Sequence, residues 1–401
     1  MESIPIWQVL SISALLSWII FSIYFKVTHK LRSLTQSWVT EQVIAETPLI
    51  LQIQSFQHRF LDVFFSALSC MVSVPFYTAF LPLLLWSGHC RLARQMTLLM
   101  AFCDYIGNSI KDAVSAPRPS SPPIRRITAT KDEEENALEY GLPSSHTLNT
   151  VCLAGYFLHY ILYSAKISDT TEVLSGVTMA CLVVGFIGFG RIYLGMHSLI
   201  DVLAGLILGL VILGFWLLVH GYVDNFIVSG HNVASFWAIL SFLLLFAYPT
   251  PELPTPSFEY HTAFNGVVLG FVTGIQKTYL QFHHEGIPRI FTPQLSFQVF
   301  VARVLIGIPT ILLVKFCCKT LAKRILPMVA NTLGIPIRSS SYIPQLHSSV
   351  TGKESDGSKK MFLFFPQDSF DVDTGIRLLQ YAGLAWSVVD PIPSVFSHIG
   401  L

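Results

Sequence analysis

RIYLGMHSLIDVLAGLILGLVILGFWLLV, residues 191–219, decides the fold. From Leu199 to Val219 its only ionisable side chain is Asp201, and about 20 mostly apolar residues suffice to carry a helix across a bilayer. A spanning helix is therefore predicted, with Arg191, His197 and Asp201 gathered at its entrance. Further apolar runs lie near 4–25, 62–87, 95–110, 147–164, 174–190, 234–249, 262–280 and 297–316, which with 199–219 makes nine candidate spans. The composition agrees. Of 401 residues 52% are hydrophobic and 12% charged, and the mean hydropathy is +0.57, outside the range of soluble globular proteins. The predicted fold class is all-α, a polytopic membrane helix bundle.

The segments between the spans are read by the same physics. Residues 28–59 mix Trp38, Val39, Val43, Ile44, Leu49, Ile50 and Leu51 with charges and amides, the pattern of an amphipathic helix at the interface. The stretch from Lys111 to Ser145 holds five prolines and the run Asp132-Glu133-Glu134-Glu135. It belongs in water, because irregular backbone in hydrocarbon leaves its polar groups unsatisfied, and the acidic run is expected to be solvated. Residues 338–360 have the composition of a disordered linker. Residues 375–389 are apolar but short and contain Arg377, so they read as either interfacial or a tenth span. The first apolar run lacks a cleavage site after it and is expected to be retained. The net charge of +1 and the scattered Lys and Arg residues exclude nucleic acid as an expected partner. The seven cysteines form no CxxC pair, so neither a disulfide framework nor a zinc site is expected. His283-His284-Glu285 is expected to be a solvated loop rather than a metal site.

Three groups of polar residues interrupt this apolar background. Lys111 and Arg118 stand seven apart at the end of the third candidate span. If the helix runs to about Pro117, both leave from similar faces and can share an anion; the alternative is ordinary snorkelling at the membrane boundary. In Gly141-Leu142-Pro143-Ser144-Ser145-His146 the serines read as caps of the fourth span. A helix N-terminus offers free N–H groups and a positive dipole end to a phosphate. In the third group His197 and Asp201 are four apart, a spacing that on a helix puts a carboxylate one turn from an imidazole. Arg191, a planar fork suited to phosphate oxygens, lies just upstream. If the fourth and fifth candidates both cross, all three groups lie on one membrane face. Three cations, a helix N-terminus, two histidines and one acid then form a set fit for phosphoryl transfer.

In these blocks the sequence resembles the type 2 phosphatidic acid phosphatase superfamily, whose signatures read Lys-x6-Arg-Pro, Pro-Ser-Gly-His and Ser-Arg-x5-His-x3-Asp. The resemblance covers roughly residues 111–201. Ser145 stands in place of the usual Gly, and Gly190 in place of the usual Ser, so one hydroxyl is missing from the expected phosphate cradle. Glu139 to His146, Tyr193 to Ser198 and the additional helices after the third block further resemble the sphingoid long-chain base 1-phosphate phosphatases.

That resemblance implies a six-helix catalytic core over residues 62–220 together with the helix at 4–25. Residues 1–61 form the N-terminal membrane helix and interfacial segment, 221–320 add transmembrane helices, and 321–401 form a C-terminal region. It implies that His197 is the nucleophile, His146 the general acid and Asp201 the residue orienting His197, while Lys111, Arg118, Arg191, Ser144 and Ser145 hold the phosphate. No metal and no cofactor is expected. The implied substrate is a sphingoid base 1-phosphate taken from membrane lipid, and the implied location is the endoplasmic reticulum membrane with a lumenal active face. Phosphatidate, isoprenoid diphosphate and glucose 6-phosphate are alternative substrates of the same chemistry. A membrane transporter and an inactive scaffold are alternatives of another class, although the charges cluster at one face instead of lining a path through the helices.

Overall fold

The computed structural model describes residues 4–128, 130–343 and 370–401. All nine apolar runs are helical. They correspond to α1 (Ile6–Tyr24), the pair α4 (Arg59–Ser69) and α5 (Val74–Trp86), α6 (Cys90–Val114), α8 (Ser145–Ser164), α9 (Thr170–Tyr193), α10 (Leu199–Ser229), α11 (Val233–Ala247), α12 (Ser257–Thr278) and α13 (Phe297–Thr332). Among the described residues four helices, α1, α9, α10 and α13, are long and apolar enough to cross a membrane, and a fifth span results if α4 and α5, bent by 55°, count as one. These helices make the chain a multi-pass membrane protein. α6, α8 and α12 fall short because they carry polar residues, and they turn them inward: Arg94, Gln95, Asn108, Lys111, His146, Asn149, His261 and Asn265 are all buried. Outer apolar surfaces complement this arrangement, as in α10, where Ile207, Leu210, Val211 and Leu218 are exposed.

Close helix contacts rest on glycine, because without a hydrophobic drive in lipid, helices associate where small residues admit close packing. A Cβ at Gly205 of α10 would meet the Ser144 carbonyl oxygen at 2.6 Å, and one at Gly209 would meet that of Leu148 at 3.0 Å. These two positions hold α10 against the start of α8. In α12, Gly266, Gly270 and Gly274 form the corresponding face for α14 (Val372–Val389): a Cβ at Gly270 would collide with the Ala382 carbonyl oxygen. The apolar segment at 375–389 is thus a helix packed on α12 and α13, followed by α15 (Pro391–Ile399).

Residues 27–54 form two helices, α2 (Val27–Ala45) and α3 (Thr47–Gln54), joined at Glu46. α2 buries Val39 and Val43 against Val114 and Ala116. Arg32 donates to the carbonyls of Asp112 at 2.8 Å and Thr250 at 2.6 Å, Glu46 accepts from the Ile200 amide at 3.1 Å, and Gln54 donates to the Tyr193 carbonyl at 2.9 Å. These contacts tie the ends of α6, α9 and α10 together.

The expected boundaries at 220 and 320 fall inside α10 and α13, and one buried apolar cluster runs from Val72 through Phe271 and Ile311 to Val389. Of the expected linker, residues 338–343 fold over Asp373, whose carboxylate accepts from the amides of Ser340 and Ser341; residues 344–360 lie outside the described residues. Ile337–Arg338 pairs in parallel with Phe370–Asp371 as a two-stranded sheet.

Candidate active site

Lys111 and Arg118 meet by a route different from the one the spacing predicts. α6 stops at Val114, with Ser115 in the left-handed region at φ +53°, so Arg118 leaves from a loop and not from a second helical turn. That loop folds back over the end of α6. Arg118 Nε donates to the Glu139 carbonyl at 2.8 Å, Nη2 to the Asn136 carbonyl at 2.8 Å and Nη1 to the Met196 carbonyl at 2.7 Å. Burial lowers its pKa to about 10, which still leaves it charged near neutrality. Lys111, also buried, pairs with the Glu139 carboxylate.

The second group supplies a capped helix. Ser144 is the N-cap of α8, its hydroxyl accepting from the Thr147 amide at 3.5 Å, while its own amide donates to the Asp201 carbonyl at 2.9 Å. Ser144 thus ties the start of α8 to α10 and does not itself line the cavity. Ser145 and His146, the first residues of the helix, face the cavity.

His197 is not on a helix. Gly195, at φ +69°, makes the turn that leads to it, and a Cβ there would collide with the Arg125 carbonyl oxygen at 2.5 Å. Ser198 is the N-cap of α10 and Asp201 its third residue, and the two form a capping box, with the Ser198 amide donating to Asp201 Oδ2 at 2.9 Å. This box, not an intrahelical turn, brings Asp201 Oδ2 to 3.4 Å from His197 Nδ1 without hydrogen-bond alignment. On the other side of the ring Arg118 Nη1 lies 2.9 Å from Nε2. Arginine has only donors, so Nε2 accepts, and the ring proton of the neutral form sits on Nδ1, toward Asp201. Burial first, then Arg118, Arg191 and Lys111, hold the His197 pKa well below the usual histidine value.

Arg191, near the end of α9, completes the group. Its Nη1 donates to Ser69 Oγ at 2.8 Å and to Glu133 at 3.2 Å, while Nε and Nη2 have no partner among the described residues. Ser69 explains the missing serine at 190. A Cβ at Gly190 would lie 2.7 Å from Phe65 Cδ1, so a hydroxyl has no room there and one arrives from the end of α4.

Lys111, Arg118, Arg191, Ser145, His146 and His197 all line one cavity of about 220 Å³. Ser144 and Asp201 support it from behind. Two carboxylates also line it that the sequence placed in solvent. Glu133, from the acidic run in α7 (Lys131–Asn136), is buried against Arg191, and Glu139 against Lys111 and Arg118. Of the triplet expected as a solvated loop, His283 is instead buried with Nε2 2.6 Å from the Val389 carbonyl oxygen, while Glu285 is exposed and pairs with Arg94.

A second cavity of about 750 Å³ adjoins the first, sharing Val74, Pro75, Tyr77, Tyr260 and Phe264 with it, and is walled by α5, α12, α13 and α14. Its lining is mostly apolar, with Val267, Phe271, Ile308, Ile311 and Leu384.

Residues 92–225 match the PAP2 superfamily. The chain is also 64% identical to lipid phosphate phosphatase delta of Arabidopsis thaliana, over 100% of its own length and 98% of that protein's. This chain belongs to the PAP2 superfamily. It is accordingly a phosphatase, with the three motif groups of the superfamily gathered on one cavity. More distant relatives include a dihydrosphingosine 1-phosphate phosphatase of Schizosaccharomyces pombe, 28% identical over 88% of this chain and 87% of that one, and sphingosine-1-phosphate phosphatase 2 of Homo sapiens, 26% identical over 68% of each. No solved structure matches.

Proposed function

We propose that this PAP2 phosphatase removes the phosphate from sphingoid long-chain base 1-phosphates through a phosphohistidine on His197, without a metal. The observation that carries the reading is the pairing of the two cavities: three buried cations and two histidines line the smaller, and the larger continues it in mostly apolar side chains. A phosphate head with a hydrocarbon tail has that order of chemistry. Several relatives are named for sphingoid base phosphates, which favours that class over phosphatidate.

In the proposed reaction, His197 Nε2 turns from Arg118 to the phosphorus and forms the N–P bond while the bond from phosphorus to the lipid oxygen breaks. The proton shared toward Asp201 stays on Nδ1, so the charge forming on the ring is matched by the carboxylate. His146 gives the leaving oxygen its proton. It then takes one from the water that attacks phosphorus, and phosphate leaves with His197 restored. Lys111, Arg118, Arg191 and the helix N-terminus at Ser145 balance the charge on the three phosphoryl oxygens. Glu133 and Glu139, which hold these three cations between them, yield them when phosphate arrives.

The deciding experiment follows hydrolysis of dihydrosphingosine 1-phosphate and phosphatidate in detergent micelles by the wild type and by His197→Ala, with EDTA present and absent. Faster turnover of the sphingoid substrate, unchanged by EDTA and abolished in the variant, is expected. Preference for phosphatidate overturns the substrate, chelator inhibition overturns the metal-free mechanism, and an active variant overturns the nucleophile. The reading includes residence in the endoplasmic reticulum membrane with a lumenal active face, for which a glycosylation tag in the loop following α6 should be modified.

A further inference from the structure

The small cavity contains one carboxylate that the phosphate chemistry does not use. Asp104 lies on α6 two turns before Lys111, about 10 Å along the helix axis, and lines the same cavity as Lys111, Arg191 and His197. Helical side chains lean toward the N-terminus, so Lys111 reaches back toward Asp104. Glu133 and Glu139 are already paired with arginine and lysine. Asp104 is not: Oδ1 accepts from Asn108 Nδ2 at 2.9 Å, while Oδ2 is buried and without a hydrogen-bond partner among the described residues. A carboxylate in a membrane helix without a cation is costly and marks function.

Its neighbours have spare capacity as well. Asn149 Oδ1 and the Tyr77 hydroxyl are buried and face each other without hydrogen-bond alignment. Both residues line the cavity, and Tyr77 lines the apolar cavity too. Along the path from head to tail the order is therefore cations, then Asp104 with Asn149 and Tyr77, then hydrocarbon.

We propose that Asp104 is the specificity-determining residue that receives the substrate's ammonium group, with Asn149 and Tyr77 receiving the neighbouring hydroxyl. The inference rests on the sphingoid-base reading above. A long-chain base 1-phosphate carries its ammonium on the carbon next to the phosphate-bearing one and a hydroxyl on the carbon after that, between phosphate and chain. Phosphatidate carries no cation there.

The test compares kcat/KM for dihydrosphingosine 1-phosphate and octadecyl phosphate, which has the same chain length without the ammonium and hydroxyl, in wild type and Asp104→Asn. A charge-assisted hydrogen bond contributes enough that the sphingoid-to-octadecyl ratio should fall about 10- to 100-fold, mostly through KM. An equal loss on both substrates, or no loss on either, overturns the assignment. If Asp104→Asn does not accumulate in the membrane, Asp104→Glu should retain the preference, and the wild type should discriminate against N-acetyl dihydrosphingosine 1-phosphate. Failure to discriminate also overturns the assignment. The two readings fail separately: a wild type with no sphingoid preference overturns the substrate class, whereas a preference that survives Asp104→Asn overturns only the role of Asp104.

Discussion

The two ends of α6 each hold a buried cation, and they differ in how completely it is matched. Near the start, Arg94 donates to both Asp224 oxygens at 2.7 and 2.9 Å, to the His283 carbonyl at 3.0 Å and to Glu285 at 3.4 Å. Near the end, about 25 Å away along the helix, Lys111 shares Glu139 with Arg118, and the adjoining Arg191 keeps two nitrogens without partners among the described residues. Both cations are buried, although Glu285 beside Arg94 is exposed. A buried charge whose donors are all used is an element of structure, and one with donors to spare is an element of a site.

The contrast can be broken by substitution at each end. At the site end, His197→Ala should lower kcat by about 10⁴-fold or more, as expected for loss of a nucleophile, with normal membrane accumulation; residual turnover within tenfold of wild type removes His197 from the reaction. Arg191→Ala should lower kcat/KM by about 10²- to 10³-fold with a smaller loss of folded protein than at Arg94, because two of the three Arg191 nitrogens have no partner to lose among the described residues. Arg94→Ala should do the reverse. It strands Asp224 without its partner, at a cost of about 3–5 kcal/mol, so folded yield and thermal stability should fall sharply while kcat/KM of the surviving protein stays within a few fold of wild type. If Arg94→Ala and Arg191→Ala give the same profile, the distinction between the ends is lost.

Acidity gives a smaller and finer test. The His197 pKa lies below its unfolded value of about 6.5. The unfolded chain therefore binds a proton first as pH falls, and this group's contribution to stability is complete above about pH 6.5 and declines below it, toward the folded pKa. The neutral ring that attacks phosphorus also persists below pH 6.5. The acid limb of kcat/KM, measured with an alkyl phosphate over pH 5 to 8 and corrected for the substrate's own ionisation, should fall below that value. A limb above pH 7 contradicts the burial of the ring.

Much of the site was legible because its residues fall in three short blocks whose order follows from crossing the membrane. The contributors that were not legible lack such a signature. Ser69 lies far from Arg191 in sequence, and only the collision at Gly190 explains why the hydroxyl comes from there. Glu133 is one of four consecutive acids, and no pattern distinguishes the one that turns inward. The end of α6 was misplaced because the sequence offered Pro117 as a stop, while the left-handed Ser115 ends the helix earlier. Hydropathy scores each helix alone, so it does not show how α6, α8 and α12 carry their polar residues, which they bury against partners. α14 was ambiguous until the glycines of α12 supplied its seat.

The N-terminal strap of α2 and α3 sets an order of assembly. Arg32, Glu46 and Gln54 leave the ribosome before their partners at Asp112, Tyr193, Ile200 and Thr250 have been made. The strap is thus synthesised among the first segments and satisfied only after α11 has been completed. The ends of α6, α9 and α10 are thus tied in sequence, as Asp112, then Tyr193 and Ile200, and last Thr250 become available to the strap.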